Sequence, residues 1–154
     1  MITIEHPDPA ATASRLPGAP TPGGRSALCV MPSAPASVPA LRRFVRDLAR
    51  RWGLSAADEA LSLVVTELVT NVLLHSGSPD VTLLVTFDRT TLTVVVRDTG
   101  RWQPRAEKRR AAEDADARCG RGLPLVAAHT TRCAVFRSER GTRVVAELAL
   151  PGAG

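Results

Sequence analysis

From residue 27 onward, apolar and polar positions recur with two periods, and the switches between them divide the chain into elements. Ala27-Leu28-Cys29-Val30-Met31 is a short apolar run and predicts a strand. Between Pro39 and Trp52, Leu41, Phe44, Val45, Leu48 and Trp52 fall at helical spacing, with Arg42, Arg43, Arg46 and Arg50 on the other faces. This predicts an amphipathic helix with a solvated arginine face, closed by Gly53. Ser55, followed by Asp58 and Glu59, predicts a second helix start, with a hydroxyl cap and acids in the first turn. That helix runs from Ala56 to about His75 and is far more apolar, so it should be central and buried. Val81 to Asp88 and Thr91 to Arg97 predict a hairpin turning at Asp88-Arg89-Thr90. Leu123 to Thr130 predicts a short helix opened by Gly120-Arg121-Gly122. Cys133 to Ser138 and Thr142 to Leu150 predict a last hairpin across Glu139-Arg140-Gly141. Three helices and about five strands, mostly in hairpins, make an α+β two-layer sandwich.

Two stretches fall outside the pattern. Residues 1–26 carry Pro7, Pro9, Pro17, Pro20 and Pro22 with almost no periodicity, and read as a disordered tail ahead of one domain, 27–150. Residues 101–119 are charged and lack an apolar face, and read as a mobile loop. The 154 residues suffice for one domain with a core of its own. No apolar run approaches the roughly 20 residues of a membrane span. The first residues carry no leader pattern, and three scattered cysteines form neither metal spacing nor a disulfide framework, so a reducing cytoplasm is expected. The net charge of +5 raises nucleic acid as a partner. Aromatics at only 3%, no Tyr, and arginines spread along the chain weigh against it, and such a charge steers an anionic ligand equally well.

Four features carry chemistry. Glu67, Asn71 and His75 recur at i, i+4 and i+8 among Leu63, Val64, Val65, Leu68, Val69, Val72, Leu73 and Leu74, so a polar line runs along a mostly apolar helix. Either it faces solvent or it faces a ligand, because a buried polar group without a partner costs about 1–3 kcal/mol. Asp98-Thr99-Gly100 follows a strand: the carboxylate can accept from an exocyclic amine, and the glycine admits a flat ligand, although Asp-x-Gly also makes ordinary turns. Gly120-Arg121-Gly122 before a helix exposes N–H groups suited to phosphate. Gly141-Thr142, in isolation, is a hairpin turn.

In this order and spacing, the four resemble the GHKL ATP-binding superfamily of histidine kinases, gyrase B subunits and MutL, and within it the small bacterial anti-sigma factor serine kinases. The likeness covers about residues 27–150. Glu67-Leu68-Val69-Thr70-Asn71 through His75 looks like the N box, and Asp98-Thr99-Gly100 like the adenine-binding box. Gly120 through Val126 looks like the lid glycine box, and Gly141-Thr142 like the last short box. The resemblance implies a mixed, mostly antiparallel sheet with helices on one face, binding ATP with Mg²⁺. It implies that Asn71 gives its oxygen to Mg²⁺ and that Glu67 is the general base. Asp98 would accept the adenine amino group with support from Thr142, Gly100 would let the base pack closely, and Gly120 and Gly122 would cradle the phosphates. Arg118, two residues before Gly120, would reach the γ-phosphate, or else is one more charge in a solvated loop.

Two departures stand out. The adenine box continues Arg101-Trp102, without the second glycine common in the superfamily, so the lid would hinge differently. There is also no phospho-acceptor histidine domain. The resemblance implies an ATP-dependent protein serine/threonine kinase. It would phosphorylate a STAS-domain anti-anti-sigma protein and sequester a sigma factor, with a second copy of the chain, as a homodimer, a further candidate partner. The alternative from another class is a non-catalytic ATP-sensing module, and the presence of Glu67 favours the enzyme.

Overall fold

The computed structural model describes residues 2–5, 23–101, 126 and 128–150. In chain order its elements are β1 (Ile2–Glu5), β2 (Arg25–Pro32), α1 (Ser37–Arg51), α2 (Asp58–His75), β3 (Asp80–Phe87), β4 (Thr91–Asp98), β5 (Arg132–Ser138) and β6 (Gly141–Ala149). The six strands form one sheet in the order β1-β5-β6-β4-β3-β2, antiparallel throughout except for the parallel pair β1 and β5. With both helices packed on one face, this is the α+β two-layer sandwich that the periodicity predicts.

Register decides which residues face the helices. Cys29, Leu83, Val96, Val144 and Val135 lie opposite one another in successive strands, as do Ala27, Val85, Val94, Ala146 and Cys133. Because side chains alternate along a strand, these rows share a face, and nearly all their members belong to the core. α1 contributes Leu41, Val45, Leu48 and Ala49 from a single stripe. α2 is buried on a wider arc, from Leu61 through Val64, Val65, Leu68 and Val69 to Val72. It packs under α1 and over β4 and β6, which is why its sequence is apolar on nearly every side. Each large apolar side chain fully buried here contributes about 1.5–3 kcal/mol.

Four details depart from the sequence-based expectation. Ile2–Glu5, read as part of a disordered tail, is a strand paired in register with Cys133–Phe136. Its β-branched residues precede all five prolines that motivated the tail reading, and they cover the edge that β5 would otherwise leave open. The domain's first long strand likewise begins at Arg25, two residues early. Ser55 does not cap α2: Ser55–Ala57 form a 3₁₀ turn, and the helix starts at Asp58 with Ala57 at its N-cap. The acids in the first turn act there instead. Asp58 accepts from Ser62 Oγ at 3.2 Å and faces Arg46 Nε at 3.6 Å. Finally, Arg42 is not simply solvated, since its Nε donates to Thr66 Oγ1 of α2 at 3.1 Å.

Two turns follow from their residues. Asp88 Oδ1 accepts from the Thr91 N–H at 2.9 Å, and this backbone bond holds its carboxyl below the usual range. Gly53 and Gly77, with φ of 71° and 65°, stop the two helices in the left-handed conformation. Of the predicted Leu123–Thr130 helix, Val126, Ala128 and His129 are helical, Thr130 lies just past it with its Oγ1 donating to the Val126 carbonyl at 2.8 Å, and the rest lies outside the described residues.

Candidate functional site

The candidate residues meet where α2 ends over the sheet. Asp98 is the last residue of β4, and its direct partner in β6 is Thr142. Thr142 is also paired with Arg137 of β5. Asp98, Thr142 and Arg137 therefore form one row on the helix-facing side, at the end of the apolar rows. Asp98 and Thr142 are buried at 7% and 5% exposure. A carboxylate beside a hydroxyl at the rim of an apolar floor suits a ligand that is flat, largely apolar and edged with donors.

The loop carrying Asp98 is fixed from two sides. A Cβ on Gly100 would stand 1.9 Å from the Ser76 carbonyl oxygen and 2.7 Å from the Ser78 nitrogen, so this backbone lies directly on the turn that ends α2. A Cβ on Gly141, whose φ is 132°, would meet the Asp98 carbonyl oxygen at 1.9 Å. Only glycine fits either place. The Gly100 N–H donates to Asp98 Oδ1 at 3.0 Å and orients the carboxylate. Ser78 Oγ accepts from the Thr99 N–H at 3.1 Å and donates to the Asp80 carbonyl at 2.6 Å.

α2 supplies the other end of the site. At 1.5 Å of rise per residue, Asn71 lies about 7–8 Å and Glu67 about 13–14 Å along the axis from Ser76, where the Asp98 loop touches. Asn71 is 94% buried by its 6% exposure, yet its amide makes no hydrogen bond among the described residues. None of its polar atoms is sealed from solvent either, so the amide opens onto accessible space. Glu67, one turn earlier on the same line, is half-buried and has no ion pair among the described residues. Asn71 therefore does not lie on an open solvent-facing strip. The arrangement is elongated, with a carboxylate at the Asp98 end and an amide and a second carboxylate, Asn71 and Glu67, along α2.

Residues 31–148 match the family described as the histidine kinase-like ATPase domain. The chain belongs to that family. No curated protein matches it. Membership in this ATPase family implies ATP as the ligand. Among the described residues no three His, Cys, Asp or Glu gather into a metal site, and no helix is long and apolar enough to cross a membrane. Mg²⁺ is commonly held by one or two protein oxygens together with phosphates and water. Asn71 fits such a ligand.

The structure brings together Asp98, Thr142 and Gly100, and places Asn71 and Glu67 one and two turns back along the helix whose end Gly100 touches. Arg118, Gly120 and Gly122, with Trp102 and Cys119, lie outside the described residues. Sequence reasoning missed Ser76, Ser78 and Arg137. Ser76 and Ser78 carry no motif or spacing that marks them in the sequence. Arg137 was recoverable only from the register of the last hairpin, in which Ser138 opposes Gly141 and so Arg137 opposes Thr142.

Proposed function

We propose that this ATPase-family chain is a protein serine/threonine kinase acting as an anti-sigma factor. It would phosphorylate a STAS-domain anti-anti-sigma protein and sequester a sigma factor. The observation that carries the reading is the pairing of the buried Asn71 amide, which has no hydrogen-bond partner among the described residues, with the Glu67 carboxylate one turn away. A module that only sensed nucleotide would need the first and not the second.

In this reading Asp98 and Thr142 hold the adenine edge, and Gly100 leaves room for the ring. The Asn71 side-chain oxygen would hold Mg²⁺, which would supply neutralisation of phosphate charge. Glu67 accepts the proton of the partner's serine hydroxyl as that oxygen bonds to the γ-phosphorus. The bond from phosphorus to the β–γ bridging oxygen breaks, and ADP leaves. Arg118, Gly120 and Gly122 belong to the phosphate end by resemblance alone. The phosphate placed on the partner adds charge at the interface and drives the two proteins apart, freeing the kinase for its sigma factor.

The test uses radiolabelled ATP, a STAS-domain protein and Glu67→Gln, which keeps the size and removes the basicity. Nucleotide binding should survive while transfer falls by about 10²–10⁴-fold. Wild-type protein that binds MgATP and the STAS protein yet transfers nothing would leave only the sensing module.

A further inference from the structure

We propose that Ser78 is a positioning residue for adenine recognition, tying the end of α2 to the loop that carries Asp98. The inference rests on the reading of Asp98 as the adenine acceptor. Ser78 sits three residues past α2 and is 5% exposed. Its hydroxyl is used in every direction. It donates to the Asp80 carbonyl at 2.6 Å, accepts from the Thr99 N–H at 3.1 Å, and lies 3.3 Å from Thr99 Oγ1. Its own N–H donates to Ser76 Oγ at 3.0 Å, which closes the turn against which Gly100 is packed.

The consequence is geometric. Asp98 Oδ1 is oriented by the Gly100 N–H, and Gly100 can hold that place only while its backbone rests on Ser76 and Ser78. Thr99 stands between the two, and Ser78 Oγ is the acceptor that fixes its N–H. Asp98 selects adenine by where its oxygens point, because a purine edge with a carbonyl offers no donor there. Ser78 does not touch the base. It sets the direction of the carboxylate that does, and it links that direction to the helix bearing Asn71 and Glu67. A phosphate-end contact made through α2 and a base-end contact made through the loop thus share one hinge-free connection.

The experiment measures MgATP and MgGTP affinities calorimetrically for the full chain, wild type, Ser78→Ala, Ser78→Thr and Ser62→Ala. Ser62 is buried to the same degree and also spends its hydroxyl on one side-chain bond, but it lies in the first turns of α2. It therefore reports simple loss of stability. We expect Ser78→Ala to weaken MgATP by about 2- to 12-fold, the range of one ordinary hydrogen bond, with little change for MgGTP, so that the selectivity ratio falls. Ser78→Thr keeps the hydroxyl and should restore the ratio, and Ser62→Ala should leave it unchanged. Equal losses for both nucleotides in Ser78→Ala, or the same ratio change in Ser62→Ala, would overturn the proposal. If Ser78→Ala does not fold, Ser78→Cys replaces it, keeping the volume with a poor acceptor, and the same outcomes decide. Wild-type protein that shows no preference for ATP would instead overturn the Asp98 reading itself.

Discussion

Gly100→Ala adds a single methyl group, and the structure gives its cost. The new carbon would lie 1.9 Å from the Ser76 carbonyl oxygen and 2.5 Å from its carbon. Ordinary contact begins near 3.4 Å, so the shortfall from 1.9 Å is about 1.5 Å against backbone, which no rotamer change relieves. Either the turn after α2 or the Asp98 loop must move. A shift of that size would stretch the 3.1 Å bond from the Thr99 N–H to Ser78 Oγ beyond bonding distance. Overpacking of about 1–3 kcal/mol, with about 1 kcal/mol for the bond, totals about 2–4 kcal/mol. Gly77→Ala is the control. Nothing lies within 4 Å of its Cβ, and its cost is only the left-handed φ of 65°, about 1–2 kcal/mol. Urea unfolding at constant slope gives both stabilities, and calorimetry gives MgATP affinity. Gly100→Ala should be the less stable of the two, and it alone should lose nucleotide affinity at protein concentrations where both remain folded. If Gly100→Ala cost no more than Gly77→Ala and bound MgATP normally, the close packing of the loop on α2 would not govern the site.

Asn71→Ala should weaken nucleotide binding about tenfold or more with Mg²⁺ and much less in chelator, as titration under both conditions will read. Asp98→Asn should weaken MgATP by about 10- to 100-fold and erode the preference over GTP, because the amide can offer a donor where an acceptor is needed; unchanged selectivity would remove Asp98 from the adenine role. Burial pushes the Cys133 thiol up, so it stays protonated well past neutral pH, whereas Cys29 is only half-buried. Alkylation of native protein at pH 8, mapped by mass spectrometry, should mark Cys29 well before Cys133, and equal rates would contradict the buried placement.

The order of elements was legible because each has its own period. α1 shows one apolar stripe, α2 is apolar nearly all round, and the hairpins are runs of Val, Leu and Thr broken by Asp88-Arg89-Thr90 and Glu139-Arg140-Gly141. The polar line Glu67, Asn71, His75 was visible for the same reason, since spacing alone places residues on one side of a helix. What faces that line is not a local property. That Asn71 is buried, with no partner among the described residues, depends on α2 lying across β4 and β6. β1 escaped detection because four residues are too few to show a period, and their pairing partner is nearly the whole chain away. The row of Asp98, Thr142 and Arg137 joins three strands whose register is set by two separate hairpins and a long connection. Gly100 and Gly141 read in sequence as turn glycines; only the folded chain brings other backbone within 2 Å of where their side chains would be. Sequence by itself therefore determined which segments are helix or strand and which residues could do chemistry. Tertiary structure decided which of those residues share a site, because register and helix placement are collective outcomes of packing, written in no single segment.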